Sequence, residues 1–212
     1  GIFGQSISYL HSFNPQELGI KTETNNAKVQ KIIALPSAHG YEYKDLLDLL
    51  DQNKYVEIEG VLIEVAASTE KNPENEIVLN NYLDQFSSLN PALENKLDQW
   101  VTARNGSYIP YLARGIYYTS LGWNRRGYSD ANQTSQSQVN GMQFYFEKAV
   151  KDFSESLRVE PRQVHSQSYL IGILMNFGQS DQMAQLLSHA LTYRPDSLTV
   201  RWYYLTTLLP RW

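Results

Sequence analysis

The stretch that decides the fold is Tyr145–Pro195, which reads YFEKAVKDFSESLRVEPRQVHSQSYLIGILMNFGQSDQMAQLLSHALTYRP. Within it the chain repeats one pattern of apolar, small and proline residues at spacings of 4, 3 and 5. The first copy is Ala149, Phe153, Ser156 and Pro161, and the second is Met183, Leu187, Ala190 and Pro195. Each residue of the second copy follows its counterpart by 34 positions. A fixed period of this size indicates a supersecondary unit that the chain builds and stacks.

The period and the spacings predict that the unit is a helical hairpin. Residues at spacings of 4 and 3 share one face of an α-helix, and a proline does not continue a helix. A period of 34 residues is that of tetratricopeptide hairpins, whose small, aromatic, small, proline pattern aligns with these positions. We therefore predict an all-α fold of tetratricopeptide-like stacked helical hairpins that form a right-handed α-α superhelix.

The composition excludes several classes of protein. The chain has 212 residues, of which 42% are hydrophobic and 19% charged, as in a folded protein. Its net charge is −4, so we expect no nucleic-acid partner. It contains no cysteine, which excludes disulfides and thiolate metal sites. No apolar run is long enough to span a bilayer, so this chain is predicted to have no membrane span.

The pattern along the chain predicts two regions. Residues 1–40 keep no long apolar period, and we interpret them as a mostly irregular N-terminal arm. Residues 41–212 form a single helical-repeat domain in this prediction. Gly1 has neither an initiating methionine nor a basic flank before it. This suggests the hypothesis that an N-terminal targeting or anchoring segment was removed, which would make the domain an extracytoplasmic one.

One predicted helix, over residues 108–123, carries two different stripes. Its apolar stripe contains Ile109, Leu112, Ile116 and Trp123. A separate aromatic and basic stripe contains Tyr111, Arg114 and Tyr118, at positions i, i+3 and i+7. The residues after this helix, 124–141, are rich in Asn, Gln, Ser and Gly, so we predict a long polar loop there.

A set of landmarks in this order resembles a known family. The landmarks are Trp100, Arg104, the Trp-x-x-Arg-Gly turn at Trp123–Gly127, the two proline-ended hairpins and the closing Leu209-Pro210-Arg211-Trp212. They are similar to a bacterial family described as a domain of unknown function and built on tetratricopeptide-like helices. The resemblance covers about residues 43–212 and implies the same fold. It implies no established chemistry.

The aromatic and basic residues are the candidate binding site. Guanidinium groups beside aromatic faces suit a carboxylate or phosphate whose apolar neighbour stacks on the rings. The predicted site residues are Arg104, Tyr111, Arg114, Tyr118, Trp123 and Arg126. From them we predict a non-enzymatic scaffold that binds a protein or peptide with acidic or carboxylate groups in an open groove.

Three alternatives stay open. The arginines can instead be structural and pair with Asp98, Glu147 or Asp152, while the rings belong to the core. The same arginines, covered by residues 124–141, would suit a small anionic ligand or substrate. The aromatic face can also pack against a second copy of the chain.

The sequence offers no catalytic or metal site. The acidic pairs Glu57/Glu64 and Asp45/Asp48 lie opposite leucine stripes, which predicts solvated faces. The histidines are not at metal-ligand spacing, and no glycine-rich phosphate loop occurs. We therefore predict no metal, no cofactor and no catalytic residue.

Overall fold

A computed structural model describes residues 44–127 and 130–209, and this part of the chain is helical throughout, with no strand. The all-α prediction is confirmed, while the predicted arm, residues 1–40, lies outside the described residues. The helices of the described part are α1 (Leu46–Asp51), α2 (Tyr55–Lys71), α3 (Glu76–Asp84), α4 (Ala92–Ala103), α5 (Ile109–Arg126), α6 (Gln136–Val159), α7 (Val164–Leu174), α8 (Ser180–Tyr193) and α9 (Leu198–Leu208). Short 3-10 turns cover Pro73–Asn75, Ala131–Gln133 and Met175–Phe177.

The first helices end where asparagine and proline interrupt the apolar pattern. Asn53, between α1 and α2, has a φ of 56°, a left-handed conformation that asparagine tolerates better than most residues. Asn72 is extended because the ring of Pro73 disfavours the helical conformation at the preceding residue. The Asn72 side chain accepts a hydrogen bond from the backbone N–H of Glu74. Asn72 therefore ends α2 and also caps the start of the 3-10 turn Pro73–Asn75.

The polar segment 124–141 forms a much shorter loop than predicted. Helix α5 continues to Arg126, and α6 already begins at Gln136. Ser135 starts α6 with a capping box, since its hydroxyl accepts from the N–H of Gln138 and the Gln138 side chain accepts from the N–H of Ser135. The polar residues of this first turn therefore satisfy a helix end and face solvent, and only residues 127–135 connect the two helices.

Helices α5 and α6 form the closest helix pair of the fold. A Cβ atom added at Gly115 would lie 2.5 Å from the ring of Phe153, and one added at Gly122 would lie 2.5 Å from the ring of Phe146. The two glycines are seven residues apart, as are the two rings, and the order is reversed because the helices are antiparallel. Each phenylalanine therefore fills the space that a side chain on α5 would occupy.

The repeated positions lie at corresponding places in α6 and α8. Ala149, Phe153 and Ser156 are buried on α6, and Met183 and Ala190 are buried on α8. Leu187, the counterpart of Phe153, is only partly buried. Pro161 and Pro195 follow in the short connections after these helices, as the sequence pattern predicts. Helices α7, α8 and α9 pack against one another, with α9 mainly against α7, and α7 also contacts α5 and α6.

A buried carboxylate links the front of the chain to its last helix. Glu76, the first residue of α3, is 2% exposed. Its Oε2 atom accepts hydrogen bonds of 2.9 Å from the backbone N–H groups of Leu198 and Thr199, which open α9. An anion in this place satisfies unpaired N–H groups and the positive end of the helix dipole. Arg194 lies 3.4 Å from the same carboxylate and also donates to the side chain of Thr69.

A buried histidine belongs to the same contact region. His165 Nε2 lies 3.0 Å from Asn80 Oδ1, while the Asn80 amide donates to the hydroxyl of Thr199. The asparagine oxygen is thus an acceptor, so His165 carries its proton on Nε2. Burial lowers the pKa of His165 to about 4; nearby Glu76 opposes this shift, and Arg194 adds to it.

We predict that removing the Glu76 carboxylate strongly destabilises the fold. The substitution Glu76→Ala leaves two helix N–H groups without their acceptor and removes the buried anion beside Arg194, which keeps Asp196 and Thr69 as partners. It should lower the free energy of unfolding by about 3 kcal/mol. Urea unfolding followed by circular dichroism measures this change. The matched control is Glu155→Ala, which breaks an exposed pair with Arg158 and should cost less than about 1 kcal/mol. Equal losses for the two variants would contradict a linking role for Glu76.

We also predict a specific loss of stability in mild acid. The unfolded chain protonates His165 near its ordinary pKa of 6.5, whereas the folded chain does so only near 4. In this interval the unfolded state binds more protons, so stability falls as the pH falls from about 6.5 to about 4. The contribution of His165 should reach up to about 3 kcal/mol. Urea unfolding across this pH range, compared between the wild type and His165→Gln, measures it. A stability difference that does not change with pH would overturn this assignment.

Candidate functional site

Arg104 of the predicted site is held by a buried carboxylate. It follows the last turn of α4, and its Nη2 atom lies 2.7 Å from Glu59 Oε2, with Nε donating to the same carboxylate. Glu59 is 4% exposed and also accepts a hydrogen bond from the indole N–H of Trp100. This contact raises the pKa of Arg104. The Arg104 guanidinium therefore neutralises the buried carboxylate of Glu59.

Arg114 is bound by two carboxylates from neighbouring helices. Its Nε and Nη2 atoms lie 2.8 and 2.7 Å from the two oxygens of Asp152, and Nη1 lies 2.8 Å from Asp98. Burial raises the pKa of Asp152, and the Arg114 guanidinium opposes this shift. Arg114 thus pairs with two of the three carboxylates that the structural alternative names. Its contacts tie α4, α5 and α6 together.

Tyr118 contacts a cation that belongs to the chain itself. Its hydroxyl donates a 2.9 Å hydrogen bond to Glu94, and the ammonium of Lys148 lies 4.6 Å from the centre of its ring. The same ammonium lies 2.9 Å from the Glu94 carboxylate. Burial and the bond to Glu94 raise the pKa of the Tyr118 hydroxyl, so it acts as a donor at neutral pH.

The other three predicted site residues lie in three different surroundings. Tyr111 is partly buried, with its hydroxyl 3.4 Å from the carbonyl of Asn105. Trp123 is 37% exposed and contacts the edge of Phe146. Arg126 donates to the carbonyl of Gly127 at the end of α5. Fifteen residues of helix separate Tyr111 from Arg126, a distance of about 22 Å. Five of the six residues therefore follow the length of α5 and Arg104 follows α4, so the six do not converge on one pocket.

An open cavity of about 530 Å³ lies elsewhere, between α2, the beginning of α5, the α6–α7 connection and the end of α8. Apolar side chains form its floor: Leu62, Leu79, Leu83, Ile109, Leu112 and Val164. Polar and exposed side chains surround its mouth: Ile63, Glu70, Glu160, Arg162 and Tyr193. None of the six predicted site residues lines it.

The charges around the cavity are largely compensated within the chain. Arg162 Nε lies 3.0 Å from Glu160, which holds the pKa of that carboxyl below its usual range. Arg194 is bound to Glu76 and Asp196. Burial raises the pKa of Tyr108 to about 12, so its hydroxyl stays protonated. The cavity thus offers an apolar floor with neutral hydrogen-bonding groups, a typical composition for a binding pocket.

Sequence reasoning missed this cavity because its wall comes from separate parts of the chain. Each lining segment alone shows only a core stripe or a connection, and no motif marks their meeting. The buried acids Glu59 and Glu76 were missed for the same reason, whereas Asp152 was named as a possible partner of the arginines. The acids that were singled out, Glu57 and Glu64, are exposed as predicted.

Within residues 44–127 and 130–209, no group of three or more histidines and acidic residues is placed to hold a metal ion. Of the helices in this part of the chain, none is both long enough and apolar enough to cross a bilayer.

We predict that Arg114 stabilises the fold through its buried acid. The substitution Arg114→Met leaves the Asp152 carboxylate buried without its cation and should cost about 3 kcal/mol of unfolding free energy. The double variant Arg114→Met/Asp152→Leu should recover most of that loss, because no buried charge then remains. A double-mutant cycle by urea unfolding measures the coupling. Additive losses in the two single variants would contradict it.

Comparison with known proteins places residues 42–190 in one family. Over this range the chain matches the sequence profile of the family described as Domain of unknown function (DUF4034). The matched range contains the Trp-x-x-Arg-Gly turn and ends before the closing Leu209–Trp212 segment. Neither a curated protein nor a solved structure matches the chain. The match covers more than half of the sequence, so the protein belongs to the DUF4034 family.

Proposed function

We propose that the protein is a non-enzymatic helical-repeat scaffold that binds a peptide segment of a partner protein. The observation that carries the proposal is the open, apolar cavity of about 530 Å³ between α2, α5, α7 and α8. A volume of this size accommodates two or three peptide side chains. The cavity is formed by rigid helices, so a partner meets a surface that is already in place.

The tetratricopeptide-like arrangement is part of this proposal. Helix α7 packs against α6, α8 and α9, and the 34-residue repeat aligns α6 with α8. Stacked helical hairpins of this kind expose concave surfaces on which partners dock. The link from Glu76 to α9 joins residues 122 and 123 positions apart and brings the front of the chain against this stack. In our proposal the cavity forms where the two parts meet.

The charge balance of the cavity favours an uncharged apolar anchor in the peptide. Arg162 and Arg194 each contact carboxylates of the chain, so neither adds a free positive charge. The floor is aliphatic, and a leucine or phenylalanine side chain would bury its surface there. The protonated hydroxyl of Tyr108 offers a hydrogen bond to the peptide backbone. We accordingly propose this cavity, in place of the six predicted residues, as the primary binding surface.

A displayed peptide library selected on the folded protein tests the proposal. We expect selected peptides to share an aliphatic or aromatic residue, with no preference for acidic ones. The substitution Ala67→Trp fills the mouth of the cavity from an exposed position on α2 and should weaken binding at least about tenfold. Isothermal titration calorimetry with one selected peptide measures the change.

The matched control is Ala184→Trp, which adds the same ring at an exposed alanine of α8 that does not line the cavity. It should leave binding unchanged. If peptides bind and Ala67→Trp has no effect, the proposed cavity is wrong. Loss of binding on Arg126→Glu would instead favour the arginine and aromatic groove. Failure to select any peptide would overturn the scaffold proposal itself.

A further inference from the structure

Three aromatic rings and a carboxylate surround one ammonium on the face of α4, α5 and α6. Lys148 Nζ lies 4.6, 5.2 and 6.0 Å from the ring centres of Tyr118, Phe144 and Tyr145. It also lies 2.9 Å from Glu94 Oε1. We call the three rings and Glu94 the aromatic box. None of these residues lines the cavity described above.

The composition of the aromatic box is that of a receptor for organic cations. Ring faces attract a cation through their quadrupole, and several rings together select quaternary ammonium groups, which have no N–H to donate. Glu94 supplies the opposite charge, and its pKa is lowered first of all by Lys148. The Tyr118 hydroxyl donates to Glu94 and so holds the carboxylate at the edge of the box.

The box is open to solvent on the side of Phe144, Lys148 and Glu94, while Tyr118 is only 5% exposed. Phe144 is 55% exposed although its ring faces the ammonium, and the side chains of Lys148 and Glu94 are 37% and 35% exposed. Ion pairs with this degree of exposure contribute little to stability, because water solvates both partners well. Lys148 can therefore leave the box without exposing a buried charge, while its long side chain stays attached to α6.

We propose that the aromatic box is a binding site for small molecules with a quaternary ammonium group, and that Lys148 is its displaceable internal occupant. A trimethylammonium head takes the place of the Lys148 ammonium against the three rings, and Glu94 balances its charge. The lysine then acts as a competitor that weakens binding of the external cation.

Titration of choline, followed by ligand-observed NMR, tests this proposal. The variant Lys148→Ala vacates the box and should bind choline at least about tenfold more tightly than the wild type. Lys148→Arg keeps a cation in the box and should bind no better than the wild type. Lys151→Ala, which removes an exposed lysine one turn away on α6, is the matched control and should behave as the wild type.

A neutral probe separates cation recognition from apolar contact. The compound 3,3-dimethylbutan-1-ol has the shape of choline without its charge. The variant Lys148→Ala should bind this compound at least about tenfold more weakly than it binds choline. Adding Phe144→Ala should remove choline binding. Free trimethyllysine carries the same trimethylammonium group as choline. Whichever of choline and trimethyllysine binds more tightly identifies the source of the cation. Equal binding of choline and the neutral probe by Lys148→Ala would overturn the proposal. A choline affinity of Lys148→Ala no higher than that of Lys151→Ala would overturn it as well.

A measurement on the wild type makes the test independent of whether the variants fold. Saturating choline should shift the ¹³Cε resonance of Lys148 towards the value of a solvated lysine, because the ammonium leaves the ring faces. An unchanged Lys148 resonance at saturating choline would equally overturn the displacement.

Discussion

The fold depends on the contact between two glycines of α5 and two phenylalanines of α6. At Gly115 and Gly122 the surface of α5 is open, and the rings of Phe153 and Phe146 occupy that space. Both rings are fully buried, so any larger residue at the glycines would force a ring out of a close-packed interior. This contact sets the distance between α5 and α6 and hence the position of every side chain that the two helices carry.

The polar contacts of the site depend on that helix pair. Arg114 reaches Asp152 and Asp98 only because α6 and α4 lie against the same face of α5. Lys148 reaches Tyr118 and Glu94 for the same reason. The result is a layer of charges in which each buried carboxylate has an arginine partner, as burial of a charge requires. The layer specifies how α4, α5 and α6 fit together.

A second layer of this kind joins the ends of the described chain. Glu76 binds the first N–H groups of α9 and contacts Arg194, while Asn80 links His165 to Thr199. A simple solenoid needs contacts only between neighbouring units. Here contacts between residues more than 100 positions apart hold α2 and α3 against the end of α8 and the start of α9. Of these segments, α2, α3 and the end of α8 also line the apolar cavity.

The sequence by itself determined the helices and their order, because apolar periodicity, capping residues and proline are local properties. The 34-residue repeat and the exposed face with Glu57 and Glu64 were both readable in this way. The start of α6 was misread, since a capping box followed by polar residues resembles a loop in composition.

Only the tertiary structure decided what the charged and aromatic side chains contact. Arg104 and Arg114 were candidates for an external anion, and their partners Glu59, Asp98 and Asp152 come from other helices. The cavity likewise arises from segments that are distant along the chain. Pairing of charges and closure of a cavity depend on distances in space, which residue spacing along one helix does not determine.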